Sequence, residues 1–143
     1  MAPLNNRLLM SWMSKSHKFW YRVTGGAFGS RIRGMPVLLL TTTGRKSGQA
    51  RTTPLMYLED GGDIVIIASN SGDDRDPGWW RNLKANPQAT IQIKRERRIV
   101  RAQQASPEEK ARIWPALIAQ NADYDEYTRR TTRDIPVVIL KAV

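Results

Sequence analysis

The stretch PVLLLTTTGRKSGQARTTPLMYL, from Pro36 to Leu58, decides how the chain folds. Its hydrophobic opening reads as a strand over Pro36–Thr43, and Arg51–Leu58 reads as a second. Gly44 and Gly48 bracket Arg45, Lys46 and Ser47 between them. Glycine frees the backbone to reverse, so the two strands are antiparallel if this turn closes a hairpin. A third cation, Arg51, follows three residues after Gly48. The turn is not a P-loop, which needs lysine directly after the second glycine and four residues between the glycines. Free backbone, adjacent cations and a hydroxyl are the parts of a phosphate nest, but also of a solvated basic turn. The residues alone leave both readings open.

Downstream, Asp60-Gly61-Gly62-Asp63 signals a turn, and Ile64–Ser69 reads as a buried strand. Asp76-Pro77 opens a short helix, with Asp76 as cap and Pro77 in the first position, ending near Asn86-Pro87. Ala89–Lys94 and Arg97–Gln103 form a hairpin around Arg95-Glu96. Ser106-Pro107-Glu108-Glu109 is a capping box that starts another helix, which Pro115 is expected to kink. A second helical piece is expected over roughly Ala122–Thr132, and Ile135–Ala142 is the last strand. About six strands joined mostly by turns, with helices inserted late, make a mainly β (α+β) chain. An antiparallel barrel or strongly curled sheet fits this better than a doubly wound parallel sheet.

Upstream, Leu8, Leu9, Trp12, Met13, Phe19, Trp20 and Val23 recur at helical spacing, with Arg7, Lys15, Lys18 and Arg22 largely off the stripe. That is a basic amphipathic helix over residues 4–23. Glycines at 25, 26, 29 and 34 follow as a connector. The organisation expected is therefore a helix and connector over 1–34 and one barrel domain over 35–143.

The net charge of +10 is unevenly placed. No Asp or Glu precedes Glu59, and the first 58 residues hold nine Lys and Arg, so that part carries +9. Such asymmetry points to an anionic partner: nucleic acid, lipid headgroups or an acidic small molecule. No cysteine is present, which excludes disulfides and thiolate metal sites and fits a cytoplasmic protein. A single histidine, His17, reads as a surface or interface residue and excludes a histidine-rich metal site. No apolar run approaches the roughly 20 residues of a membrane span.

The segments LLLTTTGRKSGQARTTPLMYLEDGG, IIASNSG, PGWWRNLKANP and YDEYTRRTTRDIPVVIL occur in this order. Together they resemble the deazaflavin-dependent nitroreductase family, from about Met35 to the C-terminus and more loosely upstream. The resemblance implies a split β-barrel that binds coenzyme F-420, a deazaflavin carrying a phosphate and an oligoglutamate tail. It implies hydride transfer from the reduced cofactor to a quinone, nitroaromatic or other electron-poor acceptor. By that similarity Arg45, Lys46, Ser47 and Arg51 line the phosphate and tail site. Thr52, Thr53, Pro54, Leu55 and Met56 offer backbone groups along the ring. Ala68, Ser69 and Asn70 touch the cofactor at the end of the next strand. Trp79, Trp80, Arg81, Asn82 and Leu83 close another wall. Tyr127 sits beside cofactor and acceptor with Tyr124 nearby, and either tyrosine, or a water held by Ser69, would relay the proton.

Plainer readings stand beside these. Adjacent Trp79 and Trp80 point about 100° apart on a helix, so one belongs to the core. Tyr124 and Tyr127 share a helical face, as packing pairs do. Arg129, Arg130 and Arg133 read as solvated, and Lys94–Arg98 as a solvated hairpin tip. Other functions compatible with the residues are a non-catalytic carrier of cofactor or lipid and an FMN-dependent reductase; against a nucleic-acid-binding barrel, the aromatics sit mainly in helical stripes and not among the strand cations, so no nucleic acid is expected as a partner. The N-terminal stripe fits a helix lying on an anionic membrane at the inner face of the plasma membrane, or one packed on the barrel.

Overall fold

The computed structural model describes residues 31–32 and 35–143. The helix expected over 4–23, the glycine connector and His17 lie outside them. The described strands are β1 (Arg31–Ile32), β2 (Met35–Thr43), β3 (Ala50–Met56), β4 (Leu58–Asp60), β5 (Asp63–Ile67), β6 (Gln88–Ile93), β7 (Glu96–Gln104) and β8 (Val137–Ala142). The helices are α1 (Gly78–Ala85), α2 (Pro107–Gln120) and α3 (Asp123–Arg130), with a 3-10 turn at Asn70–Gly72.

Every strand pairing is antiparallel. The sheet order is β1-β2-β6-β7-β8-β5-β4, with β3 also on β2. β3 and β4 are neighbours in sequence, yet they pair with β2 and β5 in separate parts of the sheet. The sheet therefore curls into a barrel that stays open between them, and Tyr57 carries the chain across the gap. The second strand of the opening hairpin ends at Met56 for that reason, short of the expected Leu58. The Tyr57 N–H donates to Pro36 O at 3.2 Å, and its ring is buried.

The hairpin register runs from Val37 opposite Met56 to Thr43 opposite Ala50. Gly44 N donates to Gln49 O, and Gly48 N to Gly44 O, each at 2.8 Å. Gly48 has φ +73°, a conformation L side chains rarely adopt. In the β6–β7 hairpin Ile93 pairs with Glu96, so the turn is Lys94-Arg95, one residue earlier than expected. Lys94 absorbs the reversal at φ 55°.

Two layers of apolar residues form. Leu38, Leu40, Ile66, Ile91, Val138 and Leu140 fill the barrel, and α1 adds Trp79, Trp80 and Leu83. Val65, Ile67, Val137 and Ile139 face outward from β5 and β8 and are covered by Ile113, Leu117 and Tyr124 of α2 and α3. Alternate residues of a strand point to opposite faces, so strands covered on both sides read as unbroken apolar runs. The IVII and VVIL sequences of β5 and β8 are of that kind.

The capping box forms as expected. Ser106 Oγ accepts from Glu109 N at 3.1 Å, and Ser106 N donates to Glu109 Oε1 at 2.9 Å. Pro115 lies inside α2 without ending it. At α1 the expectation is corrected: Pro77 is the N-cap, and no side chain caps the helix. Asp76 cannot serve, because its carboxylate is held by Lys84 and Arg133, each at 2.9 Å.

Candidate active site

A cavity of about 940 Å³ opens between the GRKSG turn, β3, the end of β5 and α1. Arg45, Lys46, Ser47 and Arg51 form one wall, and Thr53, Pro54 and Leu55 of β3 form the next. Ser69 and Asn70 follow, and Asp73 and Arg75–Gly78 with Trp79, Arg81 and Asn82 close the far side. The hairpin register explains the first two walls. It sets the turn at the tip of β2 and β3 and leaves β3 without a second strand beside it.

Asn82 fixes the turn to α1. Its Oδ1 accepts from Arg45 N at 3.2 Å and from Arg45 Nη1 at 2.9 Å, while its Nδ2 donates to Thr42 Oγ1 at 3.1 Å. The side chain is buried, so these bonds hold in a water-poor setting. Lys46 and Arg51 are exposed and make no ion pair among the described residues. The carboxylates on the far wall are already engaged. Asp76 meets Lys84 and Arg133, and Asp73 accepts from Arg75 N at 3.0 Å. Five cations, Arg45, Lys46, Arg51, Arg75 and Arg81, thus face the cavity against two occupied carboxylates. The cavity suits a ligand with several negative charges.

Arg133 is not solvated, contrary to the sequence reading. Its side chain is only 14% exposed. Nη1 donates to Ala68 O at 3.1 Å and Asp76 Oδ1 at 2.9 Å. Nη2 donates to Ser69 O at 3.0 Å and Asp73 O at 3.1 Å, and Nε donates to Asp73 O at 3.2 Å. The segment from Ala68 to Asp76 leaves the sheet, so its carbonyls need other donors, and a guanidinium carries five. Arg129 and Arg130 do lie on the surface, in i,i+4 pairs with Asp125 and Glu126.

A smaller pocket of about 210 Å³ adjoins the first across Pro54, Leu55, Ile67 and Ser69, which line both. Val37, Met56, Asn121, Tyr124 and Tyr127 complete it. The two tyrosine rings meet edge to face at 6.2 Å. Burial pushes the Tyr124 phenol above its ordinary range, with the Asn121 side chain acting in the opposite direction. Gly72 backs onto α3: a Cβ there would stand 2.9 Å from Arg130 Cβ and 3.2 Å from Tyr127 O, and φ is +80°. Only glycine lets the 3-10 turn pack this closely.

Among the residues singled out from sequence, Thr52, Ala68, Trp80 and Leu83 line neither space. Thr52 Oγ1 bonds Thr41 Oγ1 at 2.9 Å, and the other three pack in the barrel core. Trp79 and Trp80 are both buried, and only Trp79 also reaches the cavity. Sequence reasoning missed Arg133, Arg75 and Asn121. Asn121, as the residue ending α2, carried the one local signal.

A split barrel with a cationic cavity and an adjoining tyrosine-lined pocket defines a class of cofactor-binding proteins, and comparison with known proteins narrows it. The model of the F420H(2)-dependent quinone reductase family matches residues 12–142. The F420H(2)-dependent quinone reductase Rv1261c of Mycobacterium tuberculosis is 47% identical over 128 residues, 87% of this chain and 86% of the relative. A putative F420H(2)-dependent quinone reductase of the same organism, Rv3178, is 44% identical over 107 residues, 75% and 90% of the two chains. The solved structure of an F420-H2 dependent reductase, FDR-A, superposes with a TM-score of 0.68 at 37% identity, covering 74% of this chain and 94% of that one. This chain belongs to the F420H(2)-dependent quinone reductase family. It is a deazaflavin-dependent oxidoreductase, and its cofactor is coenzyme F-420. The five cations of the cavity fit the phosphate and carboxylates of that cofactor.

Proposed function

We propose that the chain reduces a quinone, holding F-420 in the larger cavity and the quinone in the smaller pocket. The observation that carries this is the shared wall of Pro54, Leu55, Ile67 and Ser69, across which donor and acceptor would meet. The cofactor supplies a hydride, which with one proton converts a quinone to its hydroquinone. Arg45, Lys46 and Arg51 bind the anionic part, and Asn82 keeps Arg45 in place. Thr53, Pro54 and Leu55 form the surface along which a flat ring lies. Val37, Met56 and Ile67 keep the acceptor side apolar, which excludes water from the transfer. Tyr127, Tyr124 and Ser69 are the hydroxyls within the pocket, and they orient the acceptor and relay the proton. The test is anaerobic oxidation of reduced F-420 by menadione. Turnover above the uncatalysed rate supports the reading, and its absence contradicts it.

No helix among the described residues is long and apolar enough to cross a membrane. Residues 1–30 would instead attach peripherally to an anionic surface through Arg7, Lys15, Lys18 and Arg22. The register supports this reading. β1 pairs Arg31 with Pro36, at the Val37–Met56 end of the barrel that carries the smaller pocket, away from the Arg45–Lys46 turn. Attachment there would bring the acceptor pocket toward lipid-soluble quinones. Co-sedimentation with anionic vesicles at low and high salt tests it, and a chain left in the supernatant at low salt rejects it.

A further inference from the structure

We propose that Asn121 sets acceptor specificity, its Nδ2 donating to a ring carbonyl oxygen of the acceptor in the smaller pocket. The inference rests on the reading of that pocket as the acceptor site.

Asn121 is held on every side but one. As the residue that ends α2, it donates its backbone N–H to Leu117 O at 2.9 Å and accepts from Tyr124 N at 3.2 Å. Its side-chain oxygen, Oδ1, accepts from Asp123 N at 3.0 Å. That bond fixes which way the carboxamide faces. Nδ2 then points toward β3 and the Tyr124 phenol: one hydrogen faces Met56 Sδ at 3.9 Å, and the amide also donates toward the phenol, the contact that opposes the effect of burial there. A thioether is a weak acceptor, so the hydrogen that faces Met56 is poorly used.

The surroundings make the donor consequential. Val37, Pro54, Leu55, Met56 and Ile67 are apolar, and the hydroxyls of Ser69, Tyr124 and Tyr127 are the remaining side-chain polar groups of the pocket. A hydroxyl rotates to serve as donor or acceptor, whereas the pinned Nδ2 only donates. A carbonyl oxygen replaces the sulfur with a better partner. An acceptor without such an oxygen leaves the donor as poorly used as before. Sites built to hydrogen-bond a substrate group discriminate most strongly against analogues that lack it.

The test uses the full chain, reduced F-420 and two acceptors. Menadione carries two carbonyl oxygens, and phenazine methosulfate carries none on its ring. Asn121→Asp keeps an oxygen for Asp123 N–H and replaces the donor by a second oxygen. Its kcat/KM for menadione should fall about tenfold or more. Phenazine turnover, the melting temperature and F-420 affinity, read by fluorescence, should hold. Asn121→Leu should show the same selective loss, even with a lowered melting temperature. Equal losses for both acceptors, or an unchanged menadione rate in Asn121→Asp, overturn the inference. A wild-type chain active with both acceptors while Asn121→Asp keeps its menadione rate sinks only the role of Asn121. A wild-type chain that oxidises reduced F-420 with neither compound sinks the acceptor-site reading, and this inference with it.

Discussion

Arg133 Nη1 and Asp76 Oδ1 meet at 2.9 Å, fifty-seven residues apart in sequence, and tie the wall of the larger cavity to the segment after α3. The same guanidinium holds the carbonyls of Ala68, Ser69 and Asp73. Arg133→Lys keeps the charge but loses the fork of donors. Arg133→Ala leaves Asp76 with Lys84 alone and frees the carbonyls. The alanine variant should lose on the order of 3 kcal/mol of stability, and the lysine variant should recover only part of it. Both should weaken F-420 binding, because Ser69, Asn70 and Asp73 line the cavity. Denaturant unfolding and fluorescence titration read the two effects. Wild-type values for Arg133→Ala would mean that the segment holds its shape without the knot.

Asn82→Leu should separate positioning from packing. The substitution keeps volume but removes the acceptor for Arg45 and the donor for Thr42. A stability loss of about 1–3 kcal/mol is expected, chiefly from the stranded Thr42 hydroxyl, which is buried. F-420 should bind more weakly, while the deazaflavin nucleoside without phosphate should bind as before. Equal weakening of both ligands would place the fault in the ring site and not at the anion-binding turn.

Tyr124 gives the chain an alkaline limit. Burial raises its folded-state pKa above the ordinary value of 10.0. The associated stability is complete below pH 10, where the phenol is protonated in both states. It is lost as pH rises from there through the folded-state pKa, since the unfolded chain releases its proton first. Melting temperature measured from pH 8 to 11.5 should fall more steeply above pH 10 for wild type than for Tyr124→Phe. Parallel curves would show that the phenol is not the group responsible.

Tyr127→Phe tests the proton route. Tyr127 lines the smaller pocket, under Arg130 at 5.5 Å from its ring. The variant should lower quinone turnover roughly tenfold or more with little change in cofactor affinity. Unchanged rates with several acceptors would return Tyr127 to packing against Tyr124.

The opening hairpin was legible because its two glycines, apolar run and flanking threonines all encode the same local reversal. The apolar runs of β5 and β8 were legible for a similar reason, since burial on both faces leaves few polar positions. The end of β3 at Met56 was not. Nothing in Met56-Tyr57-Leu58 announces that the chain leaves one partner strand for another, which depends on how far the sheet curls. The role of Arg133 was hidden because its partners lie 57 to 65 residues away and are mostly carbonyls, which every residue has. The cap of α1 was misplaced by one residue for the same cause: distant Arg133 and nearby Lys84 claim the Asp76 carboxylate. In the site, the turn cations were visible as charge. Asn121 became visible only once α2 and β3 were set side by side.

The proposal that the larger cavity holds a polyanionic deazaflavin is tested most directly by a side-by-side titration of the full chain. F-420, FMN and single-stranded DNA are compared at low salt, with Lys46→Ala and Arg51→Ala in parallel. F-420 should bind most tightly, a longer glutamate tail should not weaken it, and each variant should lose about tenfold in F-420 affinity. Tighter binding of FMN or DNA, or variants that bind F-420 as wild type does, would contradict the account.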